Sequence, residues 1–101
     1  MTILVTGTMD IDPAKRDEFI AAATAVMEGS QAEAGCEHYC FAADLHDPGR
    51  FHVSERWADK EAMDKHGAAP HFVAFMGAMG GFGVKGASVT KWEGATGSPL
   101  F

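Results

Sequence analysis

The sequence is poor in cysteine, in basic residues and in long apolar runs, and each shortage excludes a class of protein. Its 2 cysteines, Cys36 and Cys40, stand four positions apart. On one strand their Cα atoms would be separated by roughly 13 Å, which no disulfide bond can bridge. We therefore expect two free, buried thiols in a reducing compartment rather than a disulfide-stabilised secreted domain.

Basic residues are also scarce, since 8 Lys and Arg stand against 14 Asp and Glu and give a formal net charge of −6. The bases are scattered along the chain, so its surface would repel a nucleic-acid backbone or an anionic membrane. No apolar run is long enough to cross a bilayer, and the N-terminus has no signal-peptide pattern. We expect a cytoplasmic protein with neither nucleic acid nor membrane as a partner.

Length and patterning predict one domain over residues 1–101 in which strands and helices alternate. Strand patterns cover 2–11, 36–43, 51–57 and 87–93, and helical patterns follow Asp12-Pro13 and Ala58-Asp59. This βαββαβ order predicts an α+β, ferredoxin-like fold, a four-stranded antiparallel sheet with two helices on one face. The first helix should run to about Ala34, with Gly35 in the left-handed conformation after it. Gly7 indicates thin packing or a close approach in the first strand.

No predicted element covers the face of the sheet that lies away from the helices. This face nevertheless carries apolar residues, among them Leu4 and both cysteines. Apolar surface of this kind tends to find a partner, so we expect a symmetric homodimer in which two sheets pack face to face. The glycines of residues 77–86 interrupt a second apolar stripe. They predict a flexible connector that could serve as a mobile lid or an exchange linker.

The third predicted strand carries an acid among core-type residues. Alternation places Phe51, Val53, Glu55 and Trp57 on one face of the sheet. Burying a carboxylate without a partner costs several kcal/mol. Glu55 must therefore reach the rim of the sheet, pair with a base, or belong to a site.

The 5 histidines form no recognised metal motif. His66 and His71 are five positions apart, which would turn them well away from each other on a continuous helix. The chain has neither an HExxH pattern nor paired CxxC motifs. The spacing therefore predicts no metal site.

Taken in order, these stretches resemble the antibiotic biosynthesis monooxygenase family, including its quinol monooxygenase branch. The matching residues are Glu33-Ala34-Gly35-Cys36, Tyr39, Phe41, Asp47-Pro48, Arg50-Phe51, Glu55, Trp57, His66 and Pro70-His71-Phe72. The resemblance covers nearly the whole chain. It implies a dimeric α+β barrel that oxidises a phenolic or hydroquinone-type aromatic with O₂ and needs no metal, flavin, haem or other cofactor.

The resemblance also implies roles for individual residues. His66 would accept a proton or stabilise an oxyanion, and Tyr39 and His71 would donate or accept hydrogen bonds. Trp57 and Phe72 would form walls around the substrate ring, and Glu55 would orient a histidine or an arginine within the same substrate-binding set.

Each of these residues also has a purely structural interpretation. His66 could be a half-buried, hydrogen-bonded histidine, His71 could cap the turn after Pro70, and Tyr39 and Trp57 could be core residues. The alternative function is that of a non-catalytic dimeric barrel that binds a small apolar ligand.

Overall fold

The computed structural model describes all 101 residues and has one four-stranded antiparallel sheet, in the order β2-β3-β1-β4. The strands are β1 (Thr2–Asp10), β2 (Cys36–Ala43), β3 (Arg50–Trp57) and β4 (Gly86–Ala95), and the helices are α1 (Arg16–Gln31), α2 (Lys60–Ala68) and α3 (Pro70–Ala78). This confirms the predicted ferredoxin-like α+β fold, with three helices in place of two. None of the helices has the length and apolar character that a membrane span requires.

The first helix is preceded by the predicted start signal. The Asp12 carboxylate accepts a hydrogen bond of 3.0 Å from the Ala14 amide, and Pro13 opens a short 3₁₀ turn, Pro13–Lys15, that leads into α1. The helix ends at Gln31, three residues before the predicted end. Gly35, with φ of 83°, makes the left-handed turn that the sequence predicted and directs the chain into β2.

The second helical segment breaks in two at Ala69. The Asp59 side chain caps α2 through a 2.9 Å hydrogen bond from the Ala62 amide. Ala69 is extended, with φ of −67° and ψ of 140°, because the ring of Pro70 disfavours helical geometry in the residue before it. Pro70 then occupies the first turn of α3, where its missing N–H is tolerated. The chain therefore changes direction between α2 and α3.

The core lies between the helices and one face of the sheet, and Phe19 of α1 is at its centre. Ring centroids of Phe51, Phe82 and Phe41 lie 4.5, 5.3 and 5.8 Å from that of Phe19. The glycine-rich segment supplies Phe82 to this cluster, and the Asp12 amide donates to the Phe82 carbonyl at 3.1 Å. The segment over 77–86 is thus anchored to the core, which corrects the prediction of a flexible connector.

The opposite face of the sheet, hereafter the open face, has no helix over it. By strand register its side chains include Leu4, Thr6, Thr8, Asp10, His38, Cys40, Ala42, Arg50, His52, Ser54, Arg56, Ser88, Thr90 and Trp92. This face is more polar than the sequence suggested. Its largest apolar side chain, that of Trp92, is 55% exposed.

Gly7 of β1 shows the close approach that the sequence predicted. A Cβ there would lie 2.2 Å from the Ser88 carbonyl oxygen and 2.6 Å from the Val89 Cα. Because both are backbone atoms, we expect Gly7→Ala to lower the free energy of unfolding by about 1–3 kcal/mol in urea denaturation. The control is Gly77→Ala in α3, where a Cβ meets nothing within 4 Å, so helix propensity should raise stability slightly. Equal stability of the two variants would contradict this account of Gly7.

Candidate functional site

A cavity of about 300 Å³ lies between α3 and the helix-covered face of the sheet. That volume is at the small end of the range for small-molecule sites. Eleven residues line it: Met9, Tyr39, Phe41, Val53, Glu55, Phe72, Phe75, Met76, Met79, Ala87 and Val89. The Glu55 carboxyl and the Tyr39 hydroxyl are the polar side-chain groups among them. The lining therefore suits an apolar ring that carries one or two polar substituents.

Glu55 is the acid that the sequence singled out, and it lies on the cavity wall between Val5 and Tyr39 of the neighbouring strands. Its Oε1 accepts a hydrogen bond of 2.9 Å from the indole N–H of Trp57. Burial raises the pKa of Glu55 above its ordinary value, because the carboxylate loses water that one hydrogen bond does not replace. A carboxylate with a raised pKa is a better proton acceptor than an exposed one.

Tyr39 is part of the wall of the same cavity, and its hydroxyl lies near that of Ser30 in α1. Burial, with a smaller contribution from the negative charge of Glu55, raises the pKa of Tyr39 well above its usual range. The hydroxyl therefore keeps its proton at any physiological pH. Tyr39 can donate a hydrogen bond in this site, but it cannot serve as the base.

The two predicted ring walls lie at different depths. Phe72 lines the cavity, and its ring centroid is 4.7 Å from that of His66. Trp57 is 0% exposed and does not line the cavity. Its indole packs on His66 at 4.6 Å and on Tyr39 at 6.2 Å between centroids. Trp57 thus supports the residues around the cavity from within the core.

His66 and His71 converge on Glu33, which sequence reasoning did not single out. His66 Nδ1 lies 2.7 Å and His71 Nε2 2.8 Å from the same oxygen, Glu33 Oε2. The interpretation that the two histidines point apart was wrong, because it assumed a helix that continues past Ala69. Glu33 belongs to the stretch Glu33-Ala34-Gly35-Cys36, which carries part of the family resemblance, but nothing in the sequence indicated that it contacts the two histidines.

Two glycines allow this convergence. The Gly35 carbonyl accepts a hydrogen bond of 2.8 Å from the Ala58 amide, and a Cβ on Gly35 would lie 2.5 Å from the Ala62 side chain. A Cβ on Gly29 of α1 would lie 2.5 Å from Cγ of His71. The close packing of α1 and the loop after it on α2 and α3 therefore depends on small residues at both positions.

The arrangement has a clear chemical consequence for His66. When Nδ1–H of His66 donates to the Glu33 carboxylate, the imidazole is held in one tautomer and Nε2 is left free to accept a proton. His66 is 4% exposed and does not itself line the cavity; it contacts the cavity through Tyr39 and Phe72. The His71 side chain is 25% exposed, so the network reaches the surface.

Comparison with known proteins identifies similar chains. The model of the family described as "Antibiotic biosynthesis monooxygenase" matches residues 2–78. An uncharacterised protein of Synechocystis is 35% identical over 74 residues, 73% of this chain and 50% of that protein, so the match spans half of its length. YcnE of Bacillus subtilis is 30% identical over 74 residues, 73% of this chain and 78% of YcnE.

The fold has close matches among solved structures. That of Rv0793 from Mycobacterium tuberculosis superposes with a TM-score of 0.86 at 22% identity, over 98% of this chain and 100% of that one. At this identity the likeness shows the fold alone.

The raised pKa of Glu55 makes stability depend on pH in a defined direction. Glu55 loses its proton less readily in the folded chain than in the unfolded chain, where its pKa is the ordinary 4.5. The free energy of unfolding therefore falls as pH rises from 4.5 through the raised pKa of the folded chain. Glu55→Gln cannot ionise and keeps an acceptor for the Trp57 indole. We expect the variant to be more stable than the parent at about pH 7, with the difference shrinking towards about pH 4 in urea denaturation.

The matched control is Glu93→Gln on β4. A hydrogen bond from Lys91 lowers the pKa of Glu93, so the sign is reversed and that variant should lose stability at neutral pH. A Glu55→Gln variant less stable than the parent at neutral pH would show that its carboxylate is stabilised in the cavity wall.

Proposed function

The chain belongs to the antibiotic biosynthesis monooxygenase family, and we propose on that premise that it oxidises a phenolic or hydroquinone-type aromatic with O₂, without metal, flavin or haem. The observation that carries the proposal is the apolar cavity with a carboxyl and a phenol in its wall. The apolar lining can hold an aromatic ring, and the Glu55 carboxyl can contact a hydroxyl substituent of that ring.

In this reaction the substrate supplies the electrons. A phenolate transfers one electron to O₂, and recombination of the radical pair forms a C–O bond to give a hydroperoxide. Loss of the ring proton at that carbon and cleavage of the O–O bond yield a quinone and water, so a phenol and O₂ give a quinone and H₂O. The protein must remove the phenolic proton, hold the ring and stabilise the developing charge.

We assign these tasks to the predicted site residues. His66 accepts the phenolic proton at Nε2, with Glu33 and His71 holding its tautomer and connecting it to solvent. Tyr39 donates a hydrogen bond to the oxyanion, since its raised pKa keeps it protonated. A shift of the Phe72 ring, which lines the cavity and packs on His66, would give substrate access to His66.

Two further residues complete the assignment. Glu55 lines the cavity and binds the second hydroxyl of a hydroquinone-type substrate. Trp57 holds Glu55 in place through its indole N–H rather than by contact with the substrate ring.

A non-catalytic ligand-binding barrel is the second candidate, and the position of His66 behind the cavity lining favours it. The two functions differ in one measurable respect. A ligand-binding barrel should bind hydroquinones or naphthol-type phenols saturably without increasing O₂ consumption over spontaneous oxidation.

We also propose that the chain is a homodimer in which two open faces pack together. The 55% exposed Trp92 supports this proposal, because the chain itself leaves this indole on the open face uncovered. The polar character of the open face implies an interface with many hydrogen bonds rather than a purely apolar one.

The catalytic proposal is tested by O₂ consumption with a panel of hydroquinones and phenols. We expect a rate proportional to protein concentration, and His66→Asn should lower it at least about tenfold, because positioned bases are usually worth more than that. Asn can still donate to the Glu33 carboxylate but has no basic nitrogen. Circular dichroism would verify that the variant is folded.

The control is His46→Asn, since His46 is exposed in the turn between β2 and β3, away from both the cavity and the open face. It should leave turnover unchanged. Full turnover in folded His66→Asn would exclude His66 as the base, and a rate independent of protein concentration would favour the ligand-binding function.

The dimer is tested with Thr6→Arg. Thr6 lies opposite Ser54 and Thr90 on the open face, so two copies would place charges within the proposed interface. Light scattering at micromolar concentration should give twice the chain mass for the parent and for the control Thr24→Arg on exposed α1 surface, but one chain mass for Thr6→Arg. A monomeric parent would refute the dimer, and a dimeric Thr6→Arg would place the interface elsewhere.

A further inference from the structure

We propose that Glu33, His66 and His71 also form a binding site for a divalent first-row transition ion such as Zn²⁺ or Co²⁺. Their ligand atoms Oε2, Nδ1 and Nε2 all lie within 4.8 Å of one another. This site goes beyond the proposed function, which employs the same side chains to hold and move a proton and needs no metal. The two uses exclude each other, because an ion on Nδ1 of His66 displaces the hydrogen bond that fixes its tautomer.

The donor set is suited to such an ion. Two imidazole nitrogens and one carboxylate oxygen are ligands that zinc and iron(II) accept, while calcium and magnesium prefer oxygen alone. The carboxylate contributes one negative charge, so an ion of charge +2 is partly neutralised on binding. A fourth position can be taken by water, because the His71 side of the cluster is partly exposed.

Side-chain rotations would bring the three ligand atoms to the distances that an ion requires. Zinc lies about 2.0–2.2 Å from nitrogen and oxygen ligands, which separates neighbouring ligand atoms in a tetrahedron by about 3.3–3.6 Å. Glu33 Oε2 lies 2.7 Å from the His66 nitrogen and 2.8 Å from the His71 nitrogen, and the three ligand atoms lie within 4.8 Å of one another. The carboxylate oxygen must therefore move away from both nitrogens by roughly 0.5–0.9 Å.

Binding of the ion would leave the number of protons on the two imidazoles unchanged. In the hydrogen-bonded network each imidazole donates its N–H to Glu33. An ion takes the place of both protons if each neutral ring transfers its proton to the other nitrogen, to Nε2 in His66 and to Nδ1 in His71. No proton has to be released to solvent, and the nitrogens that face Glu33 become the ligand lone pairs.

The packing around the cluster holds its side chains in place. Gly29 is in the last turn of α1, two residues before the helix ends at Gln31. A Cβ there would lie 2.5 Å from Cγ of His71, so a glycine at this position leaves room for the imidazole. The side chains of His66 and Glu33 are 5% and 16% exposed, so both are shielded from competing water.

The test is titration of Co²⁺ and Zn²⁺ into protein that has been treated with a chelator and desalted. We expect one ion per chain, visible d–d absorption from Co²⁺ with imidazole ligands, and displacement of Co²⁺ by Zn²⁺. Ligand binding to the folded state should raise Tm with ion concentration. Glu33→Gln and His71→Asn should each weaken binding at least about tenfold, since even outer-shell changes cost that much.

His52→Asn is the control, because the exposed His52–Asp44 pair offers two ligand atoms at 2.8 Å without a third. It should leave the affinity unchanged. No saturable binding, or binding that His52→Asn removes while His71→Asn does not, would overturn the proposal. His71 is partly exposed, so His71→Asn keeps the test decisive if Glu33→Gln fails to fold.

The titration uses no aromatic substrate, so its result is separate from that of the O₂ assay. Metal binding without turnover refutes the proposed reaction and leaves the ion site, while turnover without metal binding does the reverse.

Discussion

The site depends on one backbone event, the break between α2 and α3 at Ala69. Without it His66 and His71 would diverge around a single helix, and α3 would not continue along the sheet to enclose the cavity. The cause is local, because Pro70 forces its predecessor out of helical geometry and cannot donate to the preceding turn. The consequence is long-range: both imidazoles reach Glu33, 33 and 38 positions earlier in the chain.

The fold followed from the sequence because local signals agreed with one another. Asp12 and Pro13 marked the first helix, Gly35 turned the chain in the left-handed conformation, and apolar alternation marked the four strands. The glycine-rich segment was misread, since composition alone does not reveal that Phe82 is buried against Phe19. Glycine count predicts freedom of the backbone and not whether a neighbouring aromatic anchors it.

The candidate site could be predicted only in part, because some of its contacts join residues that are far apart in the sequence. Alternation showed that Glu55 shares a face with Trp57, and the structure gives the partner, an indole N–H two residues away. The Glu33 carboxylate could not be paired with His66 from periodicity, because the contact depends on the angle between α1 and α2. Family resemblance supplied a role for His66 but no reason for its orientation, which the shared carboxylate provides.

Two half-buried carboxyl groups, those of Glu33 and Glu55, are compensated by different means, and the difference decides what each can do. Glu33 receives two N–H donors on one oxygen, so its charge is compensated by hydrogen bonds and it orients its partners. Glu55 receives one N–H donor in an apolar wall, and burial raises its pKa. Because Glu55 accepts one hydrogen bond, it can accept another from a ligand hydroxyl. Glu33 Oε2 already accepts hydrogen bonds from the two imidazoles. Only a stronger electrophile than an N–H, such as a divalent cation, can compete for that carboxylate, and it must displace the imidazole protons to do so.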